Sequence, residues 1–337
     1  MVRNSCVQSL PEALLDLGVT SAAPMKRILG VTSIAKRSDV YGIWLGEDIG
    51  RGGDVFVQAA VAMRSAPNKR IGIGVTSPVV HNISTIARAC AALREIDPKR
   101  FRLGLGVGGL QDLVRLAVEV RRPYKMLRET IDALRGIWNG ETVTLKGERF
   151  ELSKYLARYR PGFTIPLYLG VRGPALLRLA GRTADGVILS GPVRYLEKAL
   201  KIVHDEATLR KSGTRPRVVF WLPTLVTRNK SDRDLARTVA ATVIADTPTS
   251  VLEMAGISDT EVADVQRTAR EQGYDAASGY VAEELLNSFT ISGEAGQICE
   301  VFQSLAKLGA DEIIFGPPYG REIFWSIRGV VRAWERL

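Results

Sequence analysis

Residues 70–109 read RIGIGVTSPVVHNISTIARACAALREIDPKRFRLGLGVGG. A short apolar run, Arg70–Ser77, gives way to a turn and then to Ile83, Ile86, Ala87, Cys90 and Leu93, spaced three and four apart as on one face of a helix. Asp97-Pro98 stops that helix, and a second run, Arg100–Val107, follows. Strand, helix and strand in this order make a parallel βαβ unit. Outward from it the pattern repeats, with candidate strands at Leu14–Thr20, Tyr41–Leu45, Ile165–Gly170, Gly186–Ser190, Arg217–Val226 and Asp311–Gly316. Leu127, Ile131, Leu134 and Trp138 mark another helix, ending at Asn139-Gly140. Pro24, Pro123 and Pro174 stand at first helical turns, where a missing N–H costs nothing. Roughly eight such units close into a (β/α)₈ TIM barrel, whose sites lie at the C-terminal strand ends. A doubly wound sheet shares the alternation, and the count favours the barrel.

Two segments break the rhythm. Glu141–Leu152 alternates around Lys146-Gly147 and predicts a β-hairpin before the fifth strand. Thr227–Ala310 is too long for one crossover and predicts a helical insertion between strands seven and eight, with a lid near Gly273–Tyr280. Residues 1–13 read as an extension, and 14–337 as a single domain.

The chain has 337 residues, is 46% hydrophobic and 24% charged, and carries a net charge of +10. Its basic residues are spread along the chain and mixed with acids, as Lys125, Arg128 and Arg135 are with Glu129 and Asp132. With no basic stripe among aromatics, a cleft attracting an acidic small molecule is the better use of the charge than nucleic acid. Cys6, Cys90 and Cys299 have no paired spacing, as expected of a reducing compartment. No leader opens the chain and no apolar run reaches the ~20 residues of a membrane span, so a cytoplasmic protein without membrane contact is expected. No His/Cys/Asp cluster has metal-ligand spacing.

The glycines are the strongest local signal. In Arg70–Val75 and in Leu103–Gly108 they fall at alternate positions, so one face of each strand is bare. Tight packing inside the barrel is one reading, for Gly72 and Gly104 above all; a flat ring lying against Gly74, Gly106 and Gly108 is the other. Leu169–Leu176 is a strand, a glycine-flanked turn and a helix start, where free N–H groups beside Arg172 suit a phosphate. An ordinary βα turn is the alternative.

Trp44–Asp48, Gly74–Pro78, Gly104–Gly108, Gly170–Pro174, Leu179–Gly181, Ala184–Gly186 and Ile314–Pro317, in this order, resemble the bacterial-luciferase-like superfamily, and within it the coenzyme F420-dependent methylenetetrahydromethanopterin reductases. The resemblance runs from about Leu14 to the C-terminus. It implies a barrel that assembles as a homodimer and binds the deazaflavin F420, or FMN, in its mouth. It implies a non-prolyl cis peptide at a bulge in strand three, here Gly74–Val75. Matching positions make Gly74, Val75, Ser77, Val107, Gly108, Asp112, Arg172, Gly173, Ala175 and Leu176 cofactor contacts.

The chain departs from that family where the proton chemistry lies. Relatives carry an acid followed by His after strand two; here stand Glu47 and Asp48. A carboxylate that several carry after the strand-four glycines is replaced by Gly109, and the strand-one carboxylate has no counterpart near Gly18–Ser21. His81 and His204 do not replace the missing imidazole by spacing, and His81 reads as a solvated loop residue near the mouth, with a site role as the alternative. Glu47 and Asp48 are the candidate proton donors, with Asp112 beside them; they could equally cap turns or pair with Arg51 or Arg172. The expected activity is hydride transfer from reduced F420 to a small, pterin-like substrate. An FMN-dependent monooxygenase and a non-catalytic cofactor-binding protein on the same scaffold are the alternatives.

Overall fold

The computed structural model describes residues 13–157 and 162–337; most of the expected N-terminal extension lies outside them. Among the described residues eleven strands are formed: β1 Leu14–Thr20, β2 Gly42–Gly46, β3 Arg70–Thr76, β4 Phe101–Leu105, β5 Val143–Lys146, β6 Glu151–Tyr155, β7 Leu167–Gly170, β8 Gly186–Leu189, β9 Arg217–Val226, β10 Ile291–Gly293 and β11 Glu312–Tyr319. β1, β2, β3, β4, β7, β8, β9 and β11 pair in that order, all parallel, and β11 pairs back to β1 to close the barrel. The open, doubly wound sheet is thereby excluded. β5 and β6 form the expected antiparallel hairpin.

Helix stops fall where their chemistry dictates. Gly140 takes the left-handed conformation that ends Pro123–Asn139, and Asp97 ends Ile83–Ile96. Cys90 and Cys299 are buried free thiols, acting as small apolar groups.

Inside the barrel, small and large residues interleave. Trp44, Tyr168, Ile188, Val219 and Ile314 form the luminal layer, with Val75 and Trp221 above. A Cβ on Gly72 would strike the Trp44 indole, and one on Gly106 would meet Val75 Cγ2 at 2.6 Å. The faces that the glycines strip meet Trp44 and Val75, so tight packing accounts for Gly72, Gly104 and also Gly106. Gly74 is tightly packed and yet reaches the open strand ends: a Cβ there would lie 2.9 Å from Trp44 and 3.1 Å from Ile188, and the residue lines the cleft described below.

At the strand starts below this layer, Arg102 is 1% exposed and sits 4.2 Å over the Trp44 ring. It donates to Glu312 at 2.5 Å and lies 3.5 Å from Asp16, whose other bond comes from Trp44 Nε1 at 2.7 Å. Arg217 also donates to Glu312. Burial and the neighbouring Glu312 push the Asp16 carboxyl well above its ordinary range. Burial acts to raise Glu312 too, but the hydrogen bond with Asp16 and the two guanidiniums outweigh it and hold that carboxyl low.

Between β9 and β11 lies the expected helical insertion. Lys230–Ala245, Asp259–Gln272 and Glu283–Phe289 enclose a second apolar core around Ala240, Ile244, Val265 and Phe289. β10 adds to the C-terminal half of β9 (Ile291 opposite Thr224), fastening the insertion beside the mouth.

Candidate active site

A cleft of about 1280 Å³ opens at the C-terminal strand ends. Val75, Ile188 and Trp221 line its floor, and the loops after β2, β4 and β7 form its walls. The insertion contributes Asp246, Pro248 and Tyr274, the last from the segment expected to form a lid.

The β3 end is irregular in the expected way. Its register with β4 shifts between Ile73 and Thr76, and the Gly74–Val75 peptide is cis. Ser77 is 1% exposed and donates to the Val107 carbonyl at 2.9 Å, tying the ends of β3 and β4 together. Gly108 has φ +103°, a conformation open to glycine.

Glu47 borders the cleft at the end of β2. Both of its oxygens are held: Thr76 Oγ1 donates to Oε2 at 2.6 Å, and His81 Nε2 lies 2.6 Å from Oε1. The His81 ring packs edge-on against Phe56, at 5.4 Å between centroids. Its hydrogen bond to Glu47 raises the His81 pKa, against burial and with the charges of Glu47 and Asp54. The solvated-loop reading of His81 is thus corrected: it is half-buried and hydrogen-bonded to Glu47. Sequence reasoning missed Thr76 altogether.

Asp48 borders the cleft as well, in the turn after β2. Its N–H donates to Ser21 Oγ at 2.9 Å, its carbonyl accepts from Gly52 at 2.8 Å, and its buried Oδ1 has no partner among the described residues. Asp112 pairs with Arg115 at 3.2 Å. Neither acid pairs with Arg51 or Arg172.

Opposite Glu47, Gly173 caps Pro174–Thr183 with no side chain bonded to the helix start. Leu177 is the first N–H to bond back, to the Gly173 carbonyl, so the N–H groups of Ala175 and Leu176 have no helical acceptor. A Cβ on Gly173 would meet nothing within 4 Å, so the space before the helix is open. Arg172 lies beside it, held by Asp246 of the insertion at 3.2 Å. Leu176 lines the cleft, whereas the Ala175 side chain is exposed and outside its lining, so only the Ala175 backbone faces this role. No local sequence signal marked Asp246 or Trp221 as site residues.

These donors fit a phosphate-bearing planar group: an apolar floor, and at one end two free N–H groups with a guanidinium. Among the described residues no three of His, Cys, Asp and Glu gather as a metal site would require.

The family model for luciferase-like monooxygenases matches residues 14–312, and the chain belongs to that family. It is 27% identical over 306 residues to the 5,10-methylenetetrahydromethanopterin reductase of Methanolobus tindarius, covering 88% of this chain and 92% of the relative. It is 28% identical over 280 residues to the F420-dependent glucose-6-phosphate dehydrogenase of Nakamurella multipartita, covering 77% and 78%. The solved coenzyme F420-dependent tetrahydromethanopterin reductase of Methanopyrus kandleri superposes with a TM-score of 0.84 at 20% identity, over 96% of this chain and 99% of the other; that likeness bears on the fold.

Proposed function

We propose that the protein is a deazaflavin-dependent reductase that binds coenzyme F420 in the cleft and directs hydride onto a small, pterin-like substrate. One observation carries the reading: the open phosphate cradle at Gly173 and the fixed carboxyl of Glu47 face one cleft across an apolar floor. The names of two relatives support it: one is an F420-dependent dehydrogenase and the other a reductase of a pterin-type substrate.

The N–H groups of Ala175 and Leu176, with Arg172, would hold the cofactor's phosphate. Val75 and Trp221 would seat the ring. Bound there in its reduced form, the deazaflavin supplies a hydride; the protein supplies orientation and exclusion of water. Glu47, at the cleft edge, would give the substrate its proton.

The test is a thermal-shift and fluorescence comparison of coenzyme F420 with FMN on the purified protein. F420 is expected to quench on binding and to raise Tm, as a native-state ligand does. Stabilisation by FMN with none by F420 would replace this reading with the flavin monooxygenase.

A further inference from the structure

Resting on the reductase reading, we infer that His81 is the positioning residue and proton reservoir behind Glu47, so that the substrate's proton arrives along His81–Glu47 and not from an imidazole facing the cleft. Glu47 borders the cleft and His81 does not. The side chains are 7% and 19% exposed, so of the pair it is His81 that has the better access to bulk water. Thr76 fixes the second oxygen of Glu47, which leaves the carboxyl one orientation. A carboxyl held on both sides loses little freedom when it reacts.

The proton balance closes within the pair. When a carbon of the substrate accepts a hydride, the displaced electron pair moves to the adjoining nitrogen or oxygen. The pair holds one proton, at rest on His81 Nε2; Glu47 takes it from His81 and passes it to that atom, which leaves Glu47 a carboxylate and His81 neutral, and His81 is recharged from solvent. The groups acting on His81 are Glu47, the Thr76 hydroxyl beyond it, the Phe56 ring and Asp54, whose carboxylate caps Val55–Ser65 by accepting from the N–H groups of Phe56 and Val57. Both charged groups are anions, so both favour the imidazolium. The reservoir is full at low pH and empties as pH rises through a value above the ordinary histidine 6.5.

Two histidines in the chain make the first measurement direct. NMR titration of the cofactor-free protein, with His204→Gln to assign the signals, is expected to show His81 titrating above 6.5 and dropping in Glu47→Gln. The second measurement is the pH profile of turnover with reduced F420 and 5,10-methylenetetrahydromethanopterin. Glu47→Gln should lose roughly 10²-fold or more with F420 affinity retained. His81→Gln keeps an N–H toward Glu47 and should lose about tenfold while its alkaline limb disappears. An unchanged alkaline limb in His81→Gln, or a His81 titration that ignores Glu47→Gln, overturns the inference while F420 binding stands. Wild-type protein that does not bind F420 overturns the parent reading, and this inference with it.

Discussion

Arg172 and Asp246 meet at 3.2 Å across the barrel mouth, one from the turn after β7 and the other from the end of Lys230–Ala245 in the insertion. Asp246 thus occupies the guanidinium that, in the proposed function, would meet the cofactor's phosphate. Its second oxygen is buried and without a partner among the described residues. Arg172→Ala is expected to weaken F420 binding about tenfold, since charge-assisted hydrogen bonds contribute about 1.5–3 kcal/mol and the backbone donors remain. Asp246→Asn is expected to tighten it by up to about fivefold, the worth of a part-exposed ion pair. Fluorescence titration of both variants checks the pair of signs; weaker binding in Asp246→Asn would show that Asp246 orients Arg172 without competing for it.

Glycines of two kinds give opposite outcomes. Gly74→Val would press on Trp44 and Trp221, whose atoms lie 2.9 Å and 3.3 Å from the added Cβ, and should cost about 1–3 kcal/mol by overpacking. Gly173→Ala meets open space, so Tm should hold while F420 affinity falls. Calorimetry with ligand titration separates them.

The buried charges beneath the Trp44 layer are expected to respond unequally. Glu312→Gln strands Arg102 and Arg217 and should cost about 3–5 kcal/mol. Asp16 is held toward its neutral form by burial, so Asp16→Asn should cost much less, about 1 kcal/mol. Urea midpoints of the two variants give the ranking, and equal losses would count against a protonated Asp16.

The His81–Glu47 pair also makes stability depend on pH. The folded pKa of His81 is raised, so its contribution is fully present below the unfolded value of 6.5 and is lost as pH rises through the folded one. Urea unfolding from about pH 5 to about pH 9 should show this loss in wild type and not in Glu47→Gln.

Much of the barrel was legible because periodicity is local. β1 and β9 have the bounds read from apolar runs alone, Leu14–Thr20 and Arg217–Val226. β11 runs past Gly316 to Tyr319 because its pairing with β9 resumes after a register shift around Pro317 and Pro318. β10, three residues long, carries no periodicity. The site was less legible because its contacts are long-range. Glu47 and His81 are 34 residues apart in sequence, and only the adjacency of β2 and β3 brings them together. Bare strand faces showed that something lies against the glycines, but not that it is Trp44 and Val75. Asp246 ends a helix in a segment with no strand–helix register to place it.

The most direct measurement is anaerobic single-turnover mixing of the protein with reduced coenzyme F420 and 5,10-methylenetetrahydromethanopterin, followed by absorbance of the oxidised deazaflavin. Wild type is expected to oxidise the cofactor stoichiometrically, and Glu47→Gln to bind it equally well while oxidising it roughly 10²-fold more slowly. Oxidation at the same rate in both proteins, or oxidation only when oxygen is admitted to FMN-loaded protein, would contradict hydride transfer with Glu47 as the acid.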